Sequence, residues 1–212
     1  MKNLKCKICR RLGIKLFLKG ERCLSPKCSV IKKPYPPGEK GKKRRRRTAA
    51  LSEYAKELTE KQKLRSWYNL RENQFRNYVK EILAKKTRTD DAETLLIRKL
   101  EGRLDNMVFR MGFVSSRRQA RQLVSHGHFL VNGKKVNIPS YQTKKGDIIS
   151  LRSVSHNKAA FQNLIATLKK YQPPSWIKLN VKKLEGEITG LPSLEEITPP
   201  AEISTIFEYY SR

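Results

Sequence analysis

The sequence is poor in acid. Its 212 residues hold only 19 Asp and Glu against 47 Lys and Arg, a formal net charge of +28. A compact fold with that imbalance repels itself unless a polyanion covers it, so the charge reads as a surface complementary to phosphate. Long apolar runs are also missing. The apolar stretches are a few residues long and broken by Lys or Arg, which argues against a membrane-spanning segment, and no basic amphipathic helix suited to a membrane surface stands out. The start, Met1-Lys2-Asn3-Leu4-Lys5-Cys6, has no apolar core of the signal-peptide type, so a reducing compartment and thiols without disulfides are expected. Histidine is scarce at 3 residues, and neither an HExxH pair nor a glycine-rich phosphate loop is present. His126 follows Ser125, but neighbours at a helix end make no nucleophile-base pair without a third orienting group. The expectation is a protein that is not an enzyme.

What is there is unevenly placed. With 38% hydrophobic residues the chain can bury a core, in one large or two modest domains. Residues 1–50 hold 18 Lys and Arg against Glu21 and Glu39, whereas residues 171–212 hold 4 against 6 Glu. All 4 cysteines fall early, as Cys6-x2-Cys9-x13-Cys23-x4-Cys28. Two short pairs separated by a loop are the layout of a tetrahedral four-thiolate site, for which zinc is the first choice and an iron-sulfur cluster on the same ligands the alternative. Four protein ligands leave no open position to activate water, so such an ion would be structural.

Beyond the cysteines, Lys33-Pro34-Tyr35-Pro36-Pro37-Gly38 reads as an extended linker. It leads into Lys40 to Arg47, seven cations in eight positions. Lys42, Lys43, Arg44, Arg45, Arg46 and Arg47 have the composition of an arm ordered by phosphates. From Ala49 to Lys85 the spacing of Leu51, Tyr54, Leu58, Leu64, Tyr68, Phe75, Val79 and Ile82 predicts amphipathic helices. Ser52 is a candidate cap and Glu57 with Lys61 an i,i+4 pair, while Lys61, Lys63, Arg65, Arg71 and Arg76 are expected on exposed faces toward RNA.

Leu96, Leu100, Leu104, Val108 and Met111 step by three and four and predict one helix ending at Gly112, with Arg103 and Arg110 off its buried face. Ser115 or Ser116 then caps a helix Arg117 to Ser125. Ala120, Leu123 and Val124 would face inward, with Arg117, Arg118 and Arg121 on or beside its first turns and Gly127 as the stop. Asn132-Gly133 between two short β-prone runs predicts a hairpin carrying Lys134 and Lys135. Lys145-Gly146-Asp147 predicts another turn, and Ile148 to Leu151 a third strand. The fold class expected is α+β, two helices against a small sheet forming one cationic groove. His126 and His128 would donate to RNA or finish the helix, and Asp90-Asp91 reads as a helix cap.

Arg103-Leu104-Asp105-Asn106, Ser115-Ser116-Arg117, Ala120-Arg121-Gln122-Leu123-Val124 and His126-Gly127-His128-Phe129-Leu130-Val131-Asn132-Gly133 closely resemble the family of small-subunit ribosomal protein number four. Cys23 to Cys28, Pro34 to Gly38, Glu60 to Lys63, Val136 to Tyr141 and Phe207 to Arg212 are similar to that family in the same order, so the resemblance covers nearly the whole chain. Trp67 and Asn69 depart from it, standing where a different apolar residue and a glycine are expected, and Asn157 to Lys170 is only loosely similar. The resemblance implies a primary binder of 16S-type small-subunit ribosomal RNA that nucleates assembly of the subunit body at a multi-helix junction. It also implies a place beside incoming messenger RNA, contact with ribosomal protein number five and other small-subunit proteins, and a contribution to decoding accuracy. Cytoplasmic location within the small subunit, no membrane and no homo-oligomer go with it. The four-cysteine version resembles bacterial members, and organellar ones share the pattern.

The expected organisation is a metal module with basic arm over 1–45, a helical part over 46–95, the RNA-binding module over 96–165, its extension over 166–200, and a tail over 201–212 that in the family returns to the N-terminal domain. Two rival classes fit less well. The two-helix, small-sheet module also resembles one appended to pseudouridine synthases and some aminoacyl-tRNA synthetases, but the chain leaves no room for a catalytic domain. A DNA-binding regulator would need repeated fingers or a recognition helix with a dimerising heptad, and neither is present.

Overall fold

The computed structural model describes residues 4–38, 52–85 and 89–211; the basic arm from Lys40 to Arg47 lies outside them. In chain order the described elements are α1 Leu4–Leu12, α2 Glu21–Leu24, α3 Ser29–Lys32, α4 Glu53–Trp67, α5 Glu72–Leu83, α6 Thr89–Glu101, α7 Leu104–Arg110, α8 Arg117–Ser125, β1 Phe129–Val131, β2 Lys134–Lys135, β3 Ile148–Leu151, α9 Leu164–Lys170, β4 Ile177–Asn180, β5 Glu185–Ile188, α10 Leu194–Ile197 and α11 Ile203–Ser211. The fold is α+β. The chain divides into two units, Met1–Glu93 with Pro199–Arg212, and Thr94–Thr198.

The first unit is helical. Ser52 starts α4 by accepting the Ala55 amide on its hydroxyl at 3.3 Å, which satisfies one of the free donors of the first turn. The helix ends in a Schellman motif, with Asn69 N–H donating to Ser66 C=O at 3.1 Å and Leu70 N–H to Arg65 C=O at 3.0 Å. Asn69 takes φ +55 there, a left-handed conformation that favours glycine and that asparagine tolerates better than most side chains. Asn69 can thus serve in the conformation that the glycine expected at this position would take. The far end of the sequence completes the unit: α11 packs on α4 and α5, burying Ile203, Ile206 and Phe207.

The second unit is built on a five-stranded antiparallel sheet of order β2-β1-β3-β5-β4. Sequence reading anticipated three strands. β5 escaped it because Glu185-Gly186-Glu187-Ile188 has too few apolar or β-branched residues for a strand pattern, and β4, Ile177–Asn180, alternates over only four residues. Phe129, Val131, Ile149, Leu151, Ile177 and Ile188 point from the sheet into a core shared with Leu104, Met107, Val108 and Met111 of the α7 segment and Ala120, Leu123 and Val124 of α8. Asn132 and Gly133 both take positive φ, +49 and +75, the two left-handed residues of a tight hairpin turn. The loosely similar stretch after Asn157 holds a 3-10 turn, Ala159–Phe161, and α9, and contributes Phe161, Leu164 and Leu168 to the same core.

The single helix expected over Leu96 to Met111 is two. At Arg103 the backbone is extended, φ −71 and ψ 137. The segment Pro139–Thr143 fills the break: Leu104 N–H donates to Tyr141 C=O at 2.9 Å, Asp105 N–H to Pro139 C=O at 3.2 Å, and Thr143 N–H to Gly102 C=O at 2.8 Å. Apolar periodicity survives the break because both helices face one core, so the pattern alone could not reveal it. Asp90 and Asp91 lie inside the first turn of α6, which begins at Thr89, rather than ahead of it as a cap.

Candidate nucleic-acid interface and cysteine cluster

α8 contains no acid. Ser116, extended at φ −153, caps it by accepting the Gln119 amide on its hydroxyl. Ala120, Leu123 and Val124 are buried, while Arg118, Gln122 and Ser125 are exposed and Arg121 is half-buried. The helix ends at His126, with Gly127 N–H donating to Val124 C=O at 2.8 Å and His128 N–H to Leu123 C=O at 3.3 Å. A Cβ on Gly127 would come within 2.4 Å of the Lys135 side chain, so that lysine lies across the end of α8 beside exposed His126. Lys134 and Lys135 are both exposed on β2. The hairpin tip is held to the following turn, with the Asn132 amide nitrogen donating to the Asp147 carboxylate at 2.8 Å and the Ile148 N–H to the Asn132 side-chain oxygen at 2.9 Å. Helix end and hairpin thus form one cationic face on a rigid frame, the arrangement that engages phosphate.

Other cations expected on that face are interior. Arg103 is 1% exposed and clamps Asp105 through two bonds, Nε to Oδ1 at 3.0 Å and Nη2 to Oδ2 at 2.7 Å. Burial holds the Asp105 carboxyl above its ordinary value, and the Arg103 guanidinium pulls the other way. Glu101, fully buried, is a hub. It accepts both Nε and Nη2 of Arg110 at 2.8 Å and lies 3.7 Å from Nη2 of Arg117. Arg117 also donates from Nε to Asn106 Oδ1 at 2.7 Å and stacks 4.6 Å from the Phe109 ring. Arg103 and Arg117 therefore correct the expectation of exposed cations: a bidentate guanidinium satisfies a buried carboxylate better than any other side chain. Sequence reading also missed Glu101, since a Glu at the end of a helical pattern is ordinarily solvated.

Lys61 is corrected in the same way. It is 4% exposed, and its ammonium meets Glu72 Oε1 at 2.7 Å instead of closing an i,i+4 pair with Glu57. It also sits 4.3 Å from the Tyr209 ring of α11. Glu72 additionally accepts Arg65 at 3.0 Å and the Tyr210 hydroxyl at 3.0 Å. Burial would raise the Glu72 carboxyl, but the Lys61 and Tyr210 donors and the Arg65 charge bring it below its ordinary value. Lys63 pairs with Glu60. Arg71 and Arg76 are exposed as expected, and so are Lys56 and Lys80. Lys42, Lys43 and Arg44 to Arg47 lie outside the described residues. His128 is buried, with Nδ1 2.9 Å from the Ser155 hydroxyl and its ring edge-on to Phe161, so packing decides its role.

The four cysteines come from three short helices: Cys6 and Cys9 one turn apart on α1, Cys23 in α2, and Cys28 capping α3. They line one small cavity of about 20 Å³, room for a single water-sized body. Burial pushes the Cys9 thiol up, a backbone hydrogen bond from Leu16 opposes it, and the other three cysteines push it further. As thiolates, the four sulfurs would have the donor chemistry of a site for a soft divalent ion. Among the described residues no three His, Cys, Asp or Glu side chains are gathered as a ligand set, so the convergence shown is that of a shared cavity. No helix among the described residues is long and apolar enough to cross a membrane.

Residues 1–101 match the family Ribosomal protein S4/S9 N-terminal domain, and residues 102–149 match the S4 domain. The chain is 45% identical over 207 residues to small ribosomal subunit protein uS4 of Thermus thermophilus, covering 98% of this chain and 96% of that one. The uS4 proteins of Kosmotoga olearia and Natranaerobius thermophilus are 45% and 46% identical over the same lengths. Two family matches that meet at the break before α7, and identity of this order along nearly the whole length, leave one reading: the chain belongs to the uS4 family of small ribosomal subunit proteins.

Proposed function

We propose that this protein is a structural component of the small ribosomal subunit that binds its 16S-type RNA directly, as a primary binder nucleating the subunit body at a multi-helix junction. The observation that carries the reading is the face formed by Arg118, Arg121, His126, Lys134 and Lys135. The nearby carboxylates Glu101 and Asp105 are turned inward and held by Arg103, Arg110 and Arg117, with Arg121 also acting on Asp105, so the charge offered outward is mainly that of Arg118, His126, Lys134 and Lys135. Such a frame presents charge to phosphate, while the shape of a folded junction supplies selectivity. Contact with about 8 phosphates would lower affinity roughly 50- to 150-fold for each doubling of salt. Proximity to ribosomal protein number five and to incoming messenger, a part in decoding accuracy and a cytoplasmic location belong to the same proposal, with family membership as their support. We also infer a structural zinc ion on Cys6, Cys9, Cys23 and Cys28, with an iron-sulfur cluster as the alternative. Such an ion would stabilise a segment with few large apolar side chains by on the order of 10 kcal/mol.

Competition among a small-subunit RNA junction, duplex DNA and unstructured RNA at moderate salt tests the RNA reading, and equal affinity for all three would defeat it. Co-sedimentation with gently washed small subunits, followed by metal analysis, tests the place in the particle and the ion together.

A further inference from the structure

The four cysteines are not equally accessible. Cys9, Cys23 and Cys28 are buried, whereas Cys6 is only half-buried. Cys6 lines the small cysteine cavity with the other three, and it alone of the four also lines an open concavity of about 850 Å³ framed by α1, α2 and α3. The rest of that lining is cationic: Lys7, Arg10, Arg22, Lys27, Lys32 and Lys33 stand against the single carboxylate of Glu21. All six cations but Arg10 are exposed. Arg10 follows Cys6 by four residues on the same face of α1, and its job is internal. Its guanidinium donates from Nε to the carbonyls of Lys33 at 3.1 Å and Tyr35 at 3.0 Å, and from Nη2 to that of Pro36 at 3.3 Å. It fastens the chain after α3 to α1 and so fixes the wall in which the Cys6 sulfur sits.

Reaction at a thiol depends on access as well as on nucleophilicity, so Cys6 is the sulfur that a solute meets first. The surrounding charge then selects the solute. A cleft lined by one sign of charge raises the local concentration of the opposite sign about 10- to 1,000-fold. The volume falls within the roughly 300–1,000 Å³ of pockets for small organic molecules. We propose that Cys6 of the free protein is a site of thiol–disulfide exchange with small anionic disulfides, the class formed by acidic cysteine-containing peptides, their carboxylates lying among Lys7, Arg22, Lys27 and Lys32. In the exchange Cys6 gives up its proton and its sulfur bonds to one sulfur of the reagent. The reagent's own S–S bond breaks, and the departing thiolate takes up the proton. The disulfide is itself the oxidant, so the products are one mixed disulfide and one free thiol. Because a thiolate is nucleophile and metal ligand alike, this adduct and the ion inferred above compete for one sulfur. The inference requires neither that ion nor the RNA reading.

The test uses the full chain as purified, free of RNA, with three probes: glutathione disulfide as the anionic one, hydroxyethyl disulfide as the neutral one and cystamine as the cationic one. Each rate is divided by that of the same probe with an uncharged small thiol. Peptide mapping by mass spectrometry should find the first adduct on Cys6. The anionic probe should outpace the neutral one by about 10-fold or more, with the cationic probe slowest. Salt at about 1 M, where the screening length is roughly 3 Å, should erase that ranking. Lys27→Gln combined with Lys32→Gln alters two exposed side chains and removes two of the five net positive charges of the lining. A preference of about 10-fold should then fall to about 4-fold, while the rate with the neutral probe stays as in the wild type. First adducts on Cys9, Cys23 or Cys28 would overturn the assignment to Cys6. Equal corrected rates for the three probes at low salt would overturn the selection of anionic reagents.

Discussion

Arg117 and Arg118 are adjacent in sequence and opposite in consequence, which allows a sharp test. Arg117→Met removes a guanidinium whose side chain is 9% exposed. The loss is the 2.7 Å charged hydrogen bond to Asn106 and the stacking on Phe109. A charged hydrogen bond contributes about 1.5–3 kcal/mol and a desolvated cation–π contact about 0.5–2 kcal/mol. Glu101 keeps its bidentate bond to Arg110, so the larger penalty of an abandoned buried carboxylate does not arise. The expected destabilisation of the sheet unit is therefore about 2–5 kcal/mol, a fall of roughly 10–25 °C in its melting temperature. Arg118→Met removes an exposed side chain with no partner among the described residues, so stability should change by less than about 0.5 kcal/mol. Its effect belongs on RNA binding, where the salt slope should drop by about 0.7 to 0.9. Thermal melts and filter binding across a salt series separate the two. If Arg117→Met leaves the melt unchanged and lowers the slope as much as Arg118→Met, the inward assignment of Arg117 is wrong.

Cys23→Ser should open residues 4–38 to protease while residues 94–198 stay resistant, because the two cores are separate; equal resistance of the N-terminal segment in metal-free buffer would reject a structural ion. Tyr210→Phe removes the hydroxyl donated to Glu72 at 3.0 Å and should destabilise the helical unit by about 1–2 kcal/mol in denaturant titrations. Because the folded Glu72 carboxyl sits below its ordinary value of 4.5, its contribution is present above that pH and is lost as pH falls through the folded value. Wild type should therefore soften in acid melts below about pH 4.5, and Glu72→Gln should flatten that portion of the curve.

Local signals were legible wherever backbone chemistry is decided by one or two residues. Ser52 and Ser116 cap the helices they precede, Gly112 and Gly127 take the left-handed φ of helix ends, and Asn132-Gly133 makes the hairpin. Gly112 is required twice over, since a Cβ there would also lie 2.6 Å from the Tyr171 ring. Long-range pairing was not legible. The break at Arg103 depends on carbonyls of Pro139 and Tyr141, far along the chain, and β5 finds its place only by lying between β3 and β4. Charge was the least transparent. A lysine or arginine in a helical pattern looks the same whether it meets water, RNA or a buried carboxylate; Arg103 and Arg117 turned inward because Asp105 and Glu101 did, and Lys61 is covered by the rings of Tyr209 and Tyr210 beside a part-exposed Glu72. The burial of a carboxylate, not the count of cations, decides which arginines remain for the partner.

The seating of α11 on α4 and α5 has a bearing on how the polypeptide matures as it is synthesised. Everything the sheet unit needs lies between residues 94 and 198, so that unit can close without the final segment. The helical unit, although begun first, waits for residues 203–211 to emerge before Ile206 and Phe207 can be buried where α11 packs on α4 and α5. Vectorial synthesis ordinarily lets the earlier domain finish first; in this chain the order of completion is reversed.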